Sequence, residues 1–254
     1  MIAATAIKKT LNFFGYDLVK KGHKSLQPTY EEYAEFMDIY ESCKAFSMTG
    51  IERMFSLYKA VEYIVKNNIE GNFVECGVWR GGSSMVIAKT LMKFDCTNRL
   101  IFLYDTYEGM SVPTEKDVNK DGYLADKMML TAHKEDPNSV WCCADLNDVT
   151  TNMQNTGYPI SNISFVKGKV EDTIPAMIPD GKIALLRLDT DWYESTLHEL
   201  KYLYPLLVKN GVLIIDDYGH WQGARLAVDE YFLETKTNLL LNRIDYTGRL
   251  AIKI

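Results

Sequence analysis

The sequence predicts an α/β protein: a mostly parallel, doubly wound sheet with a helical N-terminal extension, an inserted lid and a C-terminal antiparallel hairpin. Three observations predict it. From residue 72 onward, short β-rich runs (NFVECGVW, LIFLYDTY, ISFVKGKV, KIALLRLD and GVLIIDD) alternate with helical stretches. Near-continuous apolar strands of this kind need helices on both faces. Before residue 71, apolar residues recur at helical spacing. After the last of these runs, NLLLNRID and GRLAIKI flank Tyr246-Thr247-Gly248, the pattern of two strands about a turn.

Taken in order, residues 1–70 form the helical extension. Ile7, Leu11, Phe14 and Leu18 share one helical face, and Ile51, Met54, Leu57, Val61, Ile64 and Val65 make a stronger stripe. Asn67, Asn68 and Gly71 stop the second helix. Residues 71–254 carry the sheet, with helices expected at about 82–95, 194–209 and 223–236. The middle one opens on a capping-box pattern, Thr196 to Glu199, and closes at Asn210-Gly211, with a kink expected at Pro205. About 50 residues lie between the strand ending near Asp105 and the one starting near Asn162, far more than a helix and two short loops require. This insertion, about 107–160, is polar at first and then holds Met128, Met129 and Trp141, and it reads as a lid or substrate-recognition segment.

Composition narrows the functional class. The 254 residues are 47% hydrophobic and 24% charged, so a large core is expected and disorder is not. Lys+Arg 28 against Asp+Glu 34 gives −6, which argues against a nucleic-acid partner. No apolar run is long enough to span a membrane, and the first 22 residues lack a clean signal-peptide core. The five cysteines, Cys43, Cys76, Cys96, Cys142 and Cys143, are odd in number, irregularly spaced and without a CxxC pair. Neither a disulfide framework nor a zinc site is expected, and the implied setting is a reducing cytoplasm. Residues 1–24 hold five lysines against Asp17; this basic segment could meet an anionic surface or an oligomer contact.

Three groups of residues point to chemistry. The first is VECGVWRGGSS, where a strand ends at Glu75 and glycines 77, 81 and 82 precede a helix opening at Ser83. Glycines allow a ligand close to the backbone, and a helix start offers free N–H groups. The spacing is not the GxGxxG of dinucleotide sites. A carboxylate at Glu75 would repel a pyrophosphate but favour the sulfonium and ammonium of S-adenosylmethionine (SAM). The second is Asp105, at the tip of the next strand, placed to accept ribose hydroxyls whether the nucleoside is a nicotinamide cofactor or SAM. The third is IALLRLDTDWY followed by IIDDY: Arg187, Asp189 and Asp191 share a face by the two-residue period, and Asp216 and Asp217 end the following strand. Four carboxylates at one sheet edge call for a cation, and hard oxygen ligands imply Mg²⁺, Mn²⁺ or Ca²⁺. Asp216 and Asp217 can both reach one ion only if the chain turns there. His220 could be a general base or a ligand and reads as a polar wall residue; His198 and the Cys142-Cys143 pair read as packing.

These motifs resemble the TylF/MycF family of SAM- and metal-dependent sugar O-methyltransferases. The resemblance runs from about Phe46 to the C-terminus through MTGIER, VECGVWRGG, DTYEG, GKVEDTIP, LRLDTDWYEST and IIDDY. It implies a Rossmann-like class I methyltransferase sheet and a sugar-containing small-molecule acceptor, and a homo-oligomer is expected. It implies SAM contacts at Met48 and Thr49, with Glu75, Gly77 and Gly81 at the methionine end beside Trp79, Arg80 and Ser83. Asp105 and Thr106 fall to the ribose, Gly168 to Val170 to the adenine, and Asp189 also borders the cofactor. Asp189, Asp216 and Asp217 are implied as ligands of Mg²⁺ (or Mn²⁺) and Asp191 as general base. Thr190 stands where the family often has Gly, and Trp192 where it has small or polar residues, departures that bear on the acceptor.

Other readings compete. The Asp189-Thr190-Asp191 triplet is also a DxD pattern, as in metal-dependent glycosyltransferases, which would need a nucleotide-sugar site. An NAD(P)-dependent oxidoreductase lacks its GxGxxG here. A non-catalytic SAM-binding protein would have no use for the acidic quartet.

Overall fold

The computed structural model describes residues 30, 33–136, 139–179 and 181–254. The chain divides into two compact units, Met1–Ala34 and Glu35–Ile254. The basic segment 1–24 and its Ile7–Leu18 stripe lie outside the described residues. No helix among the described residues is long and apolar enough to cross a membrane.

Two helices, α1 (Ala34–Cys43) and α2 (Ile51–Lys66), precede the sheet. The expected stripe of α2 is its buried face: Met54, Leu57, Val61 and Ile64 are inside. It ends as the asparagines suggest, with Asn68 in the left-handed region at φ 53°. The strands follow as β1 (Asn72–Cys76), β2 (Ile101–Asp105), β3 (Ile163–Lys167), β4 (Ile183–Leu188) and β5 (Leu207–Ile215), then β6 (Asn242–Arg243) and β7 (Arg249–Ile252). They form one seven-stranded sheet in the order β3-β2-β1-β4-β5-β7-β6. Pairs among β1 to β5 are parallel, and β7 runs antiparallel to both β5 and β6, so the terminal hairpin is present.

Helices α3 (Gly82–Lys93), α7 (Tyr193–Tyr202) and α8 (Gln222–Glu234) connect the strands. The 107–160 insertion carries α4 (Ala125–Thr131) and α5 (Leu146–Gln154), and one turn, α6 (Val170–Thr173), follows β3. Every residue of β4 and the last five of β5 are buried, which explains their unbroken apolar runs.

The helix expected over 194–209 is shorter. It stops at Tyr202, Pro205 sits in a separate 3₁₀ turn (Tyr204–Leu206), and β5 starts at Leu207. Asn210-Gly211 is therefore inside a strand, where Asn210 at φ 66° accompanies a register shift against β4. Leu206-Leu207-Val208 fits either period, and pairing with β4 decides it. The capping box does not form either: the N-cap is Trp192, and Thr196 lies one turn inside the helix.

Register sets the position of the site. Cys76 pairs with Tyr104 and Leu188, and Leu188 with Ile215. The segments beginning at Gly77, Asp105, Asp189 and Asp216 therefore leave the sheet at one level. Between β1 and β4 the strand order reverses, and open α/β sheets bind ligands in that crevice.

Candidate active site

A cavity of about 440 Å³ occupies this edge. Gly77 makes its geometry possible. At φ 81° it turns the chain out of β1, and a Cβ there would run into the backbone carbonyl of Asp189. Asp105 then fixes the turn. Its Oδ2 accepts from the backbone N–H groups of Val78 (2.6 Å) and Trp79 (3.1 Å), and its Oδ1 from that of Tyr107 (2.8 Å). Burial raises its pKa, and these three N–H groups work against the rise. Much of its acceptor capacity is spent on holding the loops after β1 and β2 together.

Of the residues singled out for the cofactor, Met48, Thr49, Gly77, Trp79 and Ser83 line the cavity, as do Asp105, Thr106, Gly168, Val170 and Asp189. Glu75, Arg80 and Gly81 are not part of its wall. Glu75 is 1% exposed and bonds Arg187 Nη1 at 2.6 Å and the Ser84 hydroxyl. Its charge is matched inside the protein, so the argument that Glu75 would repel a pyrophosphate does not hold. Arg80 makes a two-pronged ion pair with Asp148 at 2.8 and 3.0 Å. Gly81, at φ 90°, caps α3 and faces Val149.

The acidic end is organised by Arg187, itself 2% exposed. Nη1 donates to Glu75 and to Asp189 Oδ2 at 2.6 Å; Nη2 donates to Asp216 Oδ1 at 2.5 Å and Thr49 Oγ1 at 3.2 Å. Asp216 gives its other oxygen to Arg53 of α2, whose Nε also lies 3.1 Å from Asp245. Each oxygen of Asp216 thus faces an arginine. Burial pushes its pKa up, but the two arginines outweigh this and hold it below the usual carboxylate range.

The carboxylates of Asp189, Asp191 and Asp217 converge instead, each offering an oxygen within 4.8 Å of the others. The chain after β4 is not extended: Asp191 sits at φ 66°, so it does not continue away from Asp189 by strand spacing. Burial drives all three upward, Asp191 to about 7 and the others well above the normal range. Asp217 Oδ2 is buried without a hydrogen-bond partner. Three crowded carboxylates with one orphaned oxygen suit a divalent cation, which would neutralise them and complete that oxygen's bonding.

His220 lines the cavity, with Nδ1 3.4 Å from the Tyr246 hydroxyl. Burial and Lys120 lower its pKa, so it is neutral near pH 7. The insertion reaches the site: Met110, Met128, Val140 and Cys142 line the cavity, and Trp192 Nε1 pins the insertion through the Ser111 carbonyl at 3.1 Å. Trp192 meets Trp221 edge-on at 4.9 Å, and Trp221 faces the cavity. Sequence reasoning gave no role to Arg53, Trp221 or Tyr246. Arg53 stands in a quoted motif, but its partner Asp216 is 163 residues away and no local pattern joins them.

Residues 17–251 match the macrocin-O-methyltransferase (TylF) family. The demethyldecarbamoylnovobiocin O-methyltransferase of Streptomyces niveus is 35% identical over 74% of this chain and 68% of its own length. The mycinamicin III 3''-O-methyltransferase of Micromonospora griseorubida is 32% identical over 74% of this chain and 70% of its own. Among solved structures, the O-methyltransferase NovP superposes with a TM-score of 0.71 at 31% identity, covering 82% of each chain. The calicheamicin methyltransferase CalS11, at 15% identity, shares the fold, with a TM-score of 0.64 over 92% of this chain and 99% of its own. The match across nearly the whole sequence, together with relatives above 30% identity, shows that this chain belongs to the TylF family of macrocin-O-methyltransferases.

Proposed function

We propose that the protein is a SAM-dependent O-methyltransferase that methylates a sugar hydroxyl of a glycosylated small molecule with the help of a divalent cation, Mg²⁺ or Mn²⁺. The observation that carries this reading is one cavity with two dissimilar ends. At one end Asp189, Asp191 and Asp217 converge; at the other lie the Gly77–Trp79 turn, Asp105 and the Gly168–Val170 segment. The volume suits a small-molecule cofactor site. Relatives named for O-methylation of demethyldecarbamoylnovobiocin and of mycinamicin III at a 3'' position support such an acceptor.

In this reading Asp189 and Asp217 hold the cation. Asp216 lies outside the cluster of Asp189, Asp191 and Asp217 and faces Arg187 and Arg53, so we assign it to positioning Arg187. The cation supplies acidity: a sugar hydroxyl placed against it loses its proton more readily. Asp191 would take that proton, and SAM, when bound, would supply the methyl group, its carbon–sulfur bond breaking as the new carbon–oxygen bond forms. Arg187 holds Asp189 in place, and Trp192, through Ser111, holds the insertion at the cavity wall. Alignment of oxygen, methyl and sulfur provides much of the remaining rate.

The closeness of Asp191 to Asp189 and Asp217 favours a second assignment, with Asp191 as a ligand and His220 as the base. Two variants decide between them. With Asp191→Asn, the first scheme expects kcat to fall about 10²–10⁴-fold with Mn²⁺ binding retained. If Asp191→Asn loses Mn²⁺ while His220→Ala loses turnover and keeps the ion, the second scheme is correct.

A further inference from the structure

Behind the Asp189–Asp191 turn lies a carboxyl that the proposed chemistry does not use. Glu199, on α7, is 0% exposed and is not part of the cavity wall. Its Oε1 accepts from Thr190 Oγ1 at 2.9 Å, and its Oε2 is buried without a partner. Burial drives its pKa well above the usual range, with Glu171, Asp189 and Asp217 adding to the effect. A buried carboxyl with one oxygen unsatisfied opposes folding, and an apolar side chain of similar volume would avoid that cost. What the carboxyl supplies is a fixed acceptor for Thr190.

Thr190 is the residue between the two aspartates, and its turn is a demanding one. Asp191 occupies the left-handed region, a conformation a non-glycine residue keeps only where its surroundings hold it. The backbone contributes Asp189 N–H to Cys76 O (2.8 Å) and Trp192 N–H to Thr190 O (2.7 Å). The Thr190–Glu199 bond is the side-chain tie from the middle of the turn to α7.

We propose that Glu199 is a positioning residue that acts through Thr190 to hold the Asp189–Asp191 turn in the geometry that receives the cation. The inference rests on the cation-binding reading above. Its test is calorimetric titration of Mn²⁺ into the SAM-free full chain, with SAM affinity and Tm measured alongside. Thr190→Val and Glu199→Met should each weaken Mn²⁺ binding by about 10–100-fold, the usual effect of losing a residue that orients a ligand. The Kd for SAM should not change. The double variant should be no weaker than the worse single one, because both remove the same bond. Glu199→Gln keeps an acceptor oxygen without charge and should recover wild-type Mn²⁺ affinity.

A residue that served packing alone would shift Tm and leave Mn²⁺ affinity as it was. Wild-type affinity in Glu199→Met, or losses that multiply in the double variant, would therefore overturn the inference. If Glu199→Met does not fold, Thr190→Val against Glu199→Gln gives the same decision: Mn²⁺ affinity lost in the first and kept in the second supports it, and any other pattern overturns it. A wild-type chain that binds no Mn²⁺ would overturn both this inference and the reading beneath it, which separates the two failures.

Discussion

Arg187→Met removes the one cation shared by Glu75, Asp189 and Asp216 while keeping most of the apolar stem. The consequences differ by residue. Asp216 retains Arg53, Asp189 opens onto the cavity, and Glu75, 1% exposed, is left with the Ser84 hydroxyl alone. Breaking a buried ion pair from one side costs about 3–5 kcal/mol, because a charge remains buried without its partner. For a chain of this size each kcal/mol shifts Tm by roughly 2–4 °C, so a fall of about 6–20 °C is expected. The loss should depend on pH. Burial already raises the Glu75 pKa, and Arg187 is the largest influence opposing it. Without Arg187 the folded-state pKa climbs further above the unfolded value of about 4.3. A carboxyl shifted in that direction costs nothing below its unfolded pKa and progressively more as pH rises towards the folded one. Differential scanning calorimetry of both proteins should show a small Tm gap near pH 4.5 that widens towards pH 8. A gap that is constant with pH, or worth under about 1 kcal/mol throughout, would refute the assignment of Arg187 as the charge that balances the site.

Two further outcomes test the cofactor end. Asp105→Ala should weaken SAM binding by about 1.5–3 kcal/mol in a calorimetric titration, since three backbone N–H groups lose a charged acceptor and the turn they hold relaxes; unchanged affinity would place the cofactor elsewhere. Gly77→Ala should impair SAM and Mn²⁺ binding together, because the added methyl meets the Asp189 carbonyl that joins the two ends, and loss of only one would show that the ends are independent.

Much of the fold was legible because one-dimensional patterns cause it. β4 and the second half of β5 are unbroken apolar runs because they are buried in the sheet, and the core of the α2 stripe is the face it buries. The 194–209 helix was misread because its last residues satisfy two periods, and only pairing between β4 and β5 selects one. The site was legible as a set of residues at one edge but not as a network. Arg187 could be placed on a face with Asp189, yet nothing local says that it also takes Glu75, 112 residues away, and Asp216. The two-residue period put Asp189 and Asp191 on one face, but their convergence with Asp217 depends on a left-handed residue that cannot be read from an Asp in sequence. Glu199 looked like half of a capping box and is instead the buried partner of Thr190.

The central claim is methyl transfer from SAM to a sugar hydroxyl with the acidic cluster holding a divalent cation. It is tested most directly by incubating the protein with methyl-labelled SAM and a panel of glycosylated small molecules, with Mg²⁺ and then with excess chelator. The account predicts label in a methyl ether on the sugar ring, lost on chelation and restored by added Mg²⁺ or Mn²⁺. Equal labelling in excess chelator, or label on an atom outside the sugar, would contradict it.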